Sequence, residues 1–154
     1  AEADERRRCL NAATRFLSYR ARSENELKER LQQHGFTASI IEKTVARLRE
    51  SGFVDDSEFA RLWTENREHC SPRGRRAIKI ELQQKGLSPD IIEQTIELVD
   101  ETESAYRAAE KKARTLSRDD YDEFRRRLAA FLVRRGFGYE ITGKTIEIIW
   151  RENE

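Results

Sequence analysis

Leu31-Gln32-Gln33-His34-Gly35-Phe36 returns as Leu82-Gln83-Gln84-Lys85-Gly86-Leu87 and again as Leu132-Val133-Arg134-Arg135-Gly136-Phe137. The segment that follows returns with it. Ile40-Ile41-Glu42-Lys43-Thr44-Val45 is echoed by Ile91-Ile92-Glu93-Gln94-Thr95-Ile96 and by Ile141-Thr142-Gly143-Lys144-Thr145-Ile146. The glycines lie 51 and then 50 residues apart. A fixed period of this length marks an array of like units, each too small to bury a core alone. Arrays of this kind offer extended surfaces to large partners.

Working outward, each copy reads as three helices. Upstream of the glycines, Leu27 and Leu31, Ile78 and Leu82, and Leu128 and Leu132 are spaced i,i+4 on one helical face. Each glycine stands where a left-handed residue ends a helix, and Phe36, Leu87 and Phe137 are placed to fold back on its last turn. Thr37 and Ser88 are expected N-caps for the third helix of their copies, with Pro89 at a first helical position. Gly138 is a weaker cap. Third-helix apolar positions are Ile40, Ile41, Val45 and Leu48, then Ile91, Ile92, Ile96 and Val99, then Ile141, Ile146 and Ile149. First helices are read near residues 6–20, 56–70 and 103–116. Ser23 with Glu26 makes a capping box. The expected fold is all-α: three tandem three-helix modules, residues 1–54, 55–102 and 103–154, in an elongated, curved array whose hand, right or left, the sequence leaves open.

Charged residues make up 38% of the chain and apolar residues 37%. The net charge of +1 hides strong banding: +4 across residues 61–86, −6 across 87–106 and +5 across 107–135. Bands of this kind steer charged partners, although solvated i,i+4 pairs account for most such residues. Two cysteines without CxxC spacing fit a reduced, cytoplasmic setting. No apolar run approaches the roughly 18 residues of a membrane span, and the charged N-terminus lacks a signal-peptide core.

Three constellations invite a functional reading. Asp55 and Asp56 precede Glu58 at a helix start, where capping explains them without a metal. Ser71-Pro72-Arg73-Gly74-Arg75-Arg76 is the densest basic turn. Its arginines precede a helix whose N-terminus is already partially positive, a local conflict that suits recognition of carboxylate or phosphate. Arg125-Arg126-Arg127 and Arg134-Arg135 share one helix of the third copy, where the last pair also suits the helix dipole. Phe16, Phe59, Trp63 and Phe131 fall at apolar-face positions and read as core, which weakens a single-strand nucleic-acid reading. His34 and His69-Cys70 lack zinc-ligand spacing. No phosphate-cradling loop or nucleophile elbow occurs. Neither an enzyme nor a cofactor nor a small-molecule substrate is expected.

Four stretches in order resemble the RecX family, bacterial regulators of the RecA recombinase. They are Arg20 to Leu27 leading to Gly35-Phe36; Gly52 to Asp56 with Phe59-Ala60; Pro72 to Arg76 leading to Gly86-Leu87; and Phe131 to Phe137. The resemblance runs from about Leu10 to Trp150. It implies a tandem helical array that docks in the groove of a RecA filament on single-stranded DNA. It also implies inhibition of filament growth, ATP turnover, strand exchange and co-protease activity, and so modulation of DNA repair and the SOS response. Arg75 departs from the family pattern, in which many members carry proline after the glycine. On this reading Arg73, Arg75, Arg76, Lys79 and Lys85 form one basic contact surface. Arg126, Arg127, Arg134 and Arg135 form another, and Asp55 and Asp56 set a module junction. The alternatives are a nucleic-acid-binding helical repeat, with at least weak DNA binding, and a generic helical adaptor.

Overall fold

The computed structural model describes residues 1–152. Among them are nine helices and no strand: α1 (Glu2–Tyr19), α2 (Glu24–Gln33), α3 (Ala38–Glu50), α4 (Asp56–Cys70), α5 (Arg75–Gln84), α6 (Pro89–Glu97), α7 (Glu101–Ala113), α8 (Tyr121–Arg134) and α9 (Tyr139–Glu152). All-α repetition follows the period of the sequence. Compaction divides the chain differently. One compact unit comprises Ala1–Arg61 with Leu82–Ile92, and the other comprises Leu62–Glu81 with Glu93 onward. Helices α4, α5 and α6 therefore each contribute residues to both units.

In the first unit, α1, α2 and α3 enclose a core of Cys9, Ala13, Phe16, Leu27, Leu31, Ile41, Val45 and Leu48, with Phe36 packed against it. The spacing of Leu27 and Leu31 puts both on the buried face of a helix that is otherwise polar. Ser23 starts α2. Its hydroxyl accepts from the Glu26 N–H at 3.1 Å, and the Glu26 carboxylate accepts from the Ser23 N–H at 3.1 Å, completing the capping box. The same hydroxyl donates to the Lys85 carbonyl at 2.8 Å, so one fully buried serine serves two chain segments. Asp55 caps α4 as expected, its Oδ1 accepting from the N–H groups of Ser57 and Glu58. Asp56 instead serves α2, accepting from the Glu24 N–H at 2.8 Å.

In the second unit, Ala105, Ala108, Ala109 and Ala113 line one face of α7 and are all buried. These small side chains let α9 pack closely on α7. Phe124, Leu128, Leu132, Phe137, Ile146 and Ile149 complete that core. Gly136 has φ +92° and ends the α8 turn, with the Phe137 N–H bonded back to the Leu132 carbonyl at 3.1 Å. That is the expected left-handed stop with its apolar fold-back.

Three local expectations need correction. Thr37 is the N-cap residue of α3 as expected, but its hydroxyl makes no capping bond; its own N–H donates to Glu5 Oε1 at 3.3 Å. Val99 lies beyond α6, which tightens through i→i−3 bonds from Leu98 and Val99 and stops at Glu97. Arg135 is the cap of α8 and not one of its helical residues.

Candidate functional site

The site grows from a backbone joint in the second unit. The Gly74 N–H donates to the Arg135 carbonyl at 2.8 Å. A Cβ added at Gly74 would collide with the Gly136 carbonyl, so only glycine admits this approach. The turn that starts α5 and the turn that ends α8 are thereby locked together. Two basic stretches that look separate in sequence, Arg73–Arg76 and Arg134–Arg135, meet at their ends.

The electrostatic conflict at the start of α5 has a structural answer. The first helical N–H, that of Arg75, donates to Glu101 Oε2 at 2.9 Å. A carboxylate from α7 thus occupies the partially positive helix end. A proline at this position would lack that donor. The Arg75 guanidinium turns aside and donates to the Val99 carbonyl at 2.8 Å. Arg73 lies 3.8 Å from Glu81, which also accepts from Trp63 and Arg67. Arg76 and Lys79 are exposed, and neither has an ionic or hydrogen-bonding partner among the described residues.

Arg135 is turned inward. Its guanidinium donates to Ser71 Oγ and lies over the Phe131 ring at 4.8 Å. Burial lowers its pKa, and so does repulsion from Arg73, Arg67 and Arg134. Arg67 and Arg73 share Glu81, whereas Arg135 has no carboxylate partner among the described residues. Arg134 itself is exposed and unpaired among the described residues. Arg126 and Arg127 differ: both pair with Glu123, at 2.7 and 2.6 Å, and hold its carboxyl at about 2. Arg127 and Arg134 are two turns apart on one face of α8, and Arg126 is offset from them. Lys85 belongs to the first unit, where it pairs with Glu26 at 2.9 Å.

The sequence reading missed the neighbouring concavity. A surface pocket of about 260 Å³ opens between the end of α4, one face of α7 and the end of α8. Arg107, Lys111, Lys112 and Arg135 line it together with Pro72 and Phe131, and no carboxylate does. The i,i+4 spacing of Arg107 and Lys111 was the available signal, but only the fold brings Ser71 and Arg135 beside them. Phe131 and Trp63 are half-buried rather than enclosed. Among the described residues no group of side chains forms a metal cluster, and no helix is long and apolar enough to cross a membrane.

Comparison with known proteins decides the family. Profiles of the first, second and third three-helix domains of RecX match residues 9–48, 55–96 and 100–145. The regulatory protein RecX of Chlorobaculum tepidum is 37% identical over 143 residues, covering 93% of this chain and 89% of its own. The chain belongs to the RecX family of regulatory proteins. The RecX of Chlorobium phaeobacteroides is 33% identical over 151 residues, 98% of this chain and 99% of that protein. The crystal structure of RecX from Lactobacillus salivarius superposes with a TM-score of 0.86 at 27% identity, over 96% of this chain and 97% of that one. The all-α tandem repeat is thus a family architecture.

Proposed function

We propose that this RecX-family chain binds a RecA recombinase filament on single-stranded DNA and restrains it. Filament growth, ATP turnover, strand exchange and co-protease activity fall, and DNA repair and the SOS response are modulated in consequence. The reading assigns no catalysis and no cofactor, and it implies a cytoplasmic protein. Modules 1–54, 55–102 and 103–154 act as the repeats of one binding array.

The observation that carries this reading is the set of unneutralised cations around the Gly74–Arg135 joint. Arg76, Lys79 and Arg134 are exposed and unpaired among the described residues, and Arg135 is held under repulsion from its neighbours. Charge left uncompensated on a rigid scaffold favours a complementary partner and accelerates encounter with it. Arg73 and Arg75 shape the contact surface through Glu81 and Val99. Arg126 and Arg127 join it only by exchanging Glu123 for a new partner, and Lys85, in the first unit, offers a contact of its own only by giving up Glu26. Asp55 and Asp56 hold α2 and α4 at the module junction.

The test is ATP turnover by a bacterial recombinase on single-stranded DNA, with this protein added below the recombinase concentration. The wild-type chain suppresses turnover. A triple Arg76→Glu, Lys79→Glu, Arg134→Glu variant, altered only at exposed residues, relieves that suppression at least tenfold, as loss of several charge contacts at about 1 kcal/mol each requires. Equal suppression by the variant removes this surface from the proposal. The same cations would attract phosphate, so a second reading is direct DNA binding. Tight, steeply salt-dependent binding to bare DNA with no effect on the recombinase favours it.

A further inference from the structure

Four cations converge on the pocket between α4, α7 and α8 without a carboxylate to balance them. Arg107, Lys111, Lys112 and Arg135 line it, and none of the four forms a salt bridge among the described residues. Arg107 donates to the Glu68 carbonyl and Arg135 to Ser71 Oγ, which fixes both guanidinium groups at the rim and leaves donors over. Several neighbouring cations do pair: Arg114 with Glu110 on α7, Arg126 and Arg127 with Glu123 on α8, Lys144 with Glu140 on α9. Unpaired cations occur elsewhere too, but these four line one concavity with no carboxylate in its wall, which suits an outside anion.

The shape of the pocket selects among anions. A single strand of nucleic acid needs a cationic groove and free aromatic faces on which bases stack. The aromatic ring here, Phe131, is already attended by Arg135 at 4.8 Å and Lys112 at 5.5 Å. The cations surround a compact concavity of about 260 Å³ rather than a track. Pro72, Ala108 and Phe131 add apolar wall, which suits the methylene stem of a glutamate side chain. The guanidinium fork of Arg135 suits its carboxylate.

We propose that this pocket is a docking site for the carboxylates of an acidic, Asp/Glu-rich peptide segment of a protein partner. The inference deepens the filament-binding reading by naming the chemistry the partner brings, and its own chemistry is testable without a recombinase. Lys111 and Lys112 meet the segment from α7, Arg135 grips it from the end of α8, and Arg107 closes the rim. Cys70 lies in the lining and is exposed, whereas Cys9, the other cysteine of the chain, is buried. Occupancy of the pocket therefore shields one thiol of the two.

The experiment follows alkylation of Cys70 in the full chain by iodoacetamide, with Cys9 as internal reference, read by mass spectrometry at constant ionic strength. The probes are a blocked octaglutamate peptide, an eight-residue oligothymidylate and inorganic phosphate. The peptide, at ten times its dissociation constant, slows Cys70 alkylation about tenfold. The double variant Lys111→Gln, Lys112→Gln loses that protection, and Arg114→Gln, a cation on α7 outside the pocket, keeps it. Should the double variant melt early, Arg107→Gln alone serves, with at least threefold weaker peptide binding expected. Less than twofold protection by the peptide overturns the proposal, as does equal or stronger protection by oligothymidylate or phosphate. Recombinase turnover measured in parallel keeps the two ideas apart. Peptide protection alongside an indifferent recombinase sinks the filament reading and leaves the pocket standing.

Discussion

Replacing Gly74 by alanine puts one methyl group into a closed backbone contact of the second unit. The added Cβ meets the Gly136 carbonyl carbon and oxygen and the Phe137 nitrogen. All three belong to the main chain, so no side chain can swing away. Relief requires the start of α5 to retreat from the end of α8, and that breaks the bond from the Gly74 N–H to the Arg135 carbonyl. Overpacking of this kind costs about 1–3 kcal/mol, and a lost hydrogen bond adds about 1 kcal/mol. The sum, about 2–4 kcal/mol, is a large share of the roughly 5–15 kcal/mol that holds a domain together. For a chain of this size each kcal/mol moves the midpoint about 2–4 °C, so Gly74→Ala lowers Tm by about 5–15 °C. Thermal melts followed by circular dichroism measure it. Hydrogen exchange locates it, with protection lost at the Gly74 amide and retained in α1 to α3. Gly143→Ala is the control: it sits inside α9 with open space around the added methyl group, and gains about 1 kcal/mol from helix propensity. A Gly74→Ala protein melting within about 1 °C of wild type, against that 5–15 °C scale, would refute the claim that this joint is sterically closed.

Glu26 supplies a pH dependence of known sign. Burial pushes its carboxyl up, but hydrogen bonds from Arg20, Lys85 and the Ser23 N–H prevail and hold it at about 2, below the ordinary 4.5. A depressed folded-state value stabilises above the unfolded value and is lost as pH falls, here between 4.5 and about 2. Up to ~3 kcal/mol is at stake, and Glu26→Gln flattens this part of the acid limb in urea titrations at successive pH values. Ser23→Ala removes the cap of α2 and strands the Lys85 carbonyl. The loss is about 2–3 kcal/mol, measured by urea unfolding, and restoration by Ser23→Thr is expected if the hydroxyl is the cause.

Local chemistry made most of the fold legible. Leu27 with Leu31, Gly35 with Phe36, and Ser23 with Glu26 each announce themselves within a few residues, because helix faces, left-handed stops and caps act over one turn. What escaped the sequence depends on distant segments. Thr37 takes the cap position, yet its hydroxyl makes no capping bond, and its N–H donates to Glu5, 32 residues away. Val99 fits a helical face, yet α6 stops short and the Val99 carbonyl receives Arg75, 24 residues away. The basic turn at Arg73–Arg76 seemed to oppose its own helix until Glu101, 26 residues from Arg75, supplied the anion. The candidate site was half visible: its arginines stand out in the sequence, but the Gly74–Arg135 joint and the pocket beside it exist only once α4, α7 and α8 are folded together.

Because α4, α5 and α6 each divide their residues between two compact units, the middle repeat cannot be cut away as a spare copy. A gene trimmed neatly at its repeat boundaries would take residues from each unit. Duplication can lengthen a chain of this design, but shortening it from within demands that the neighbours be rebuilt.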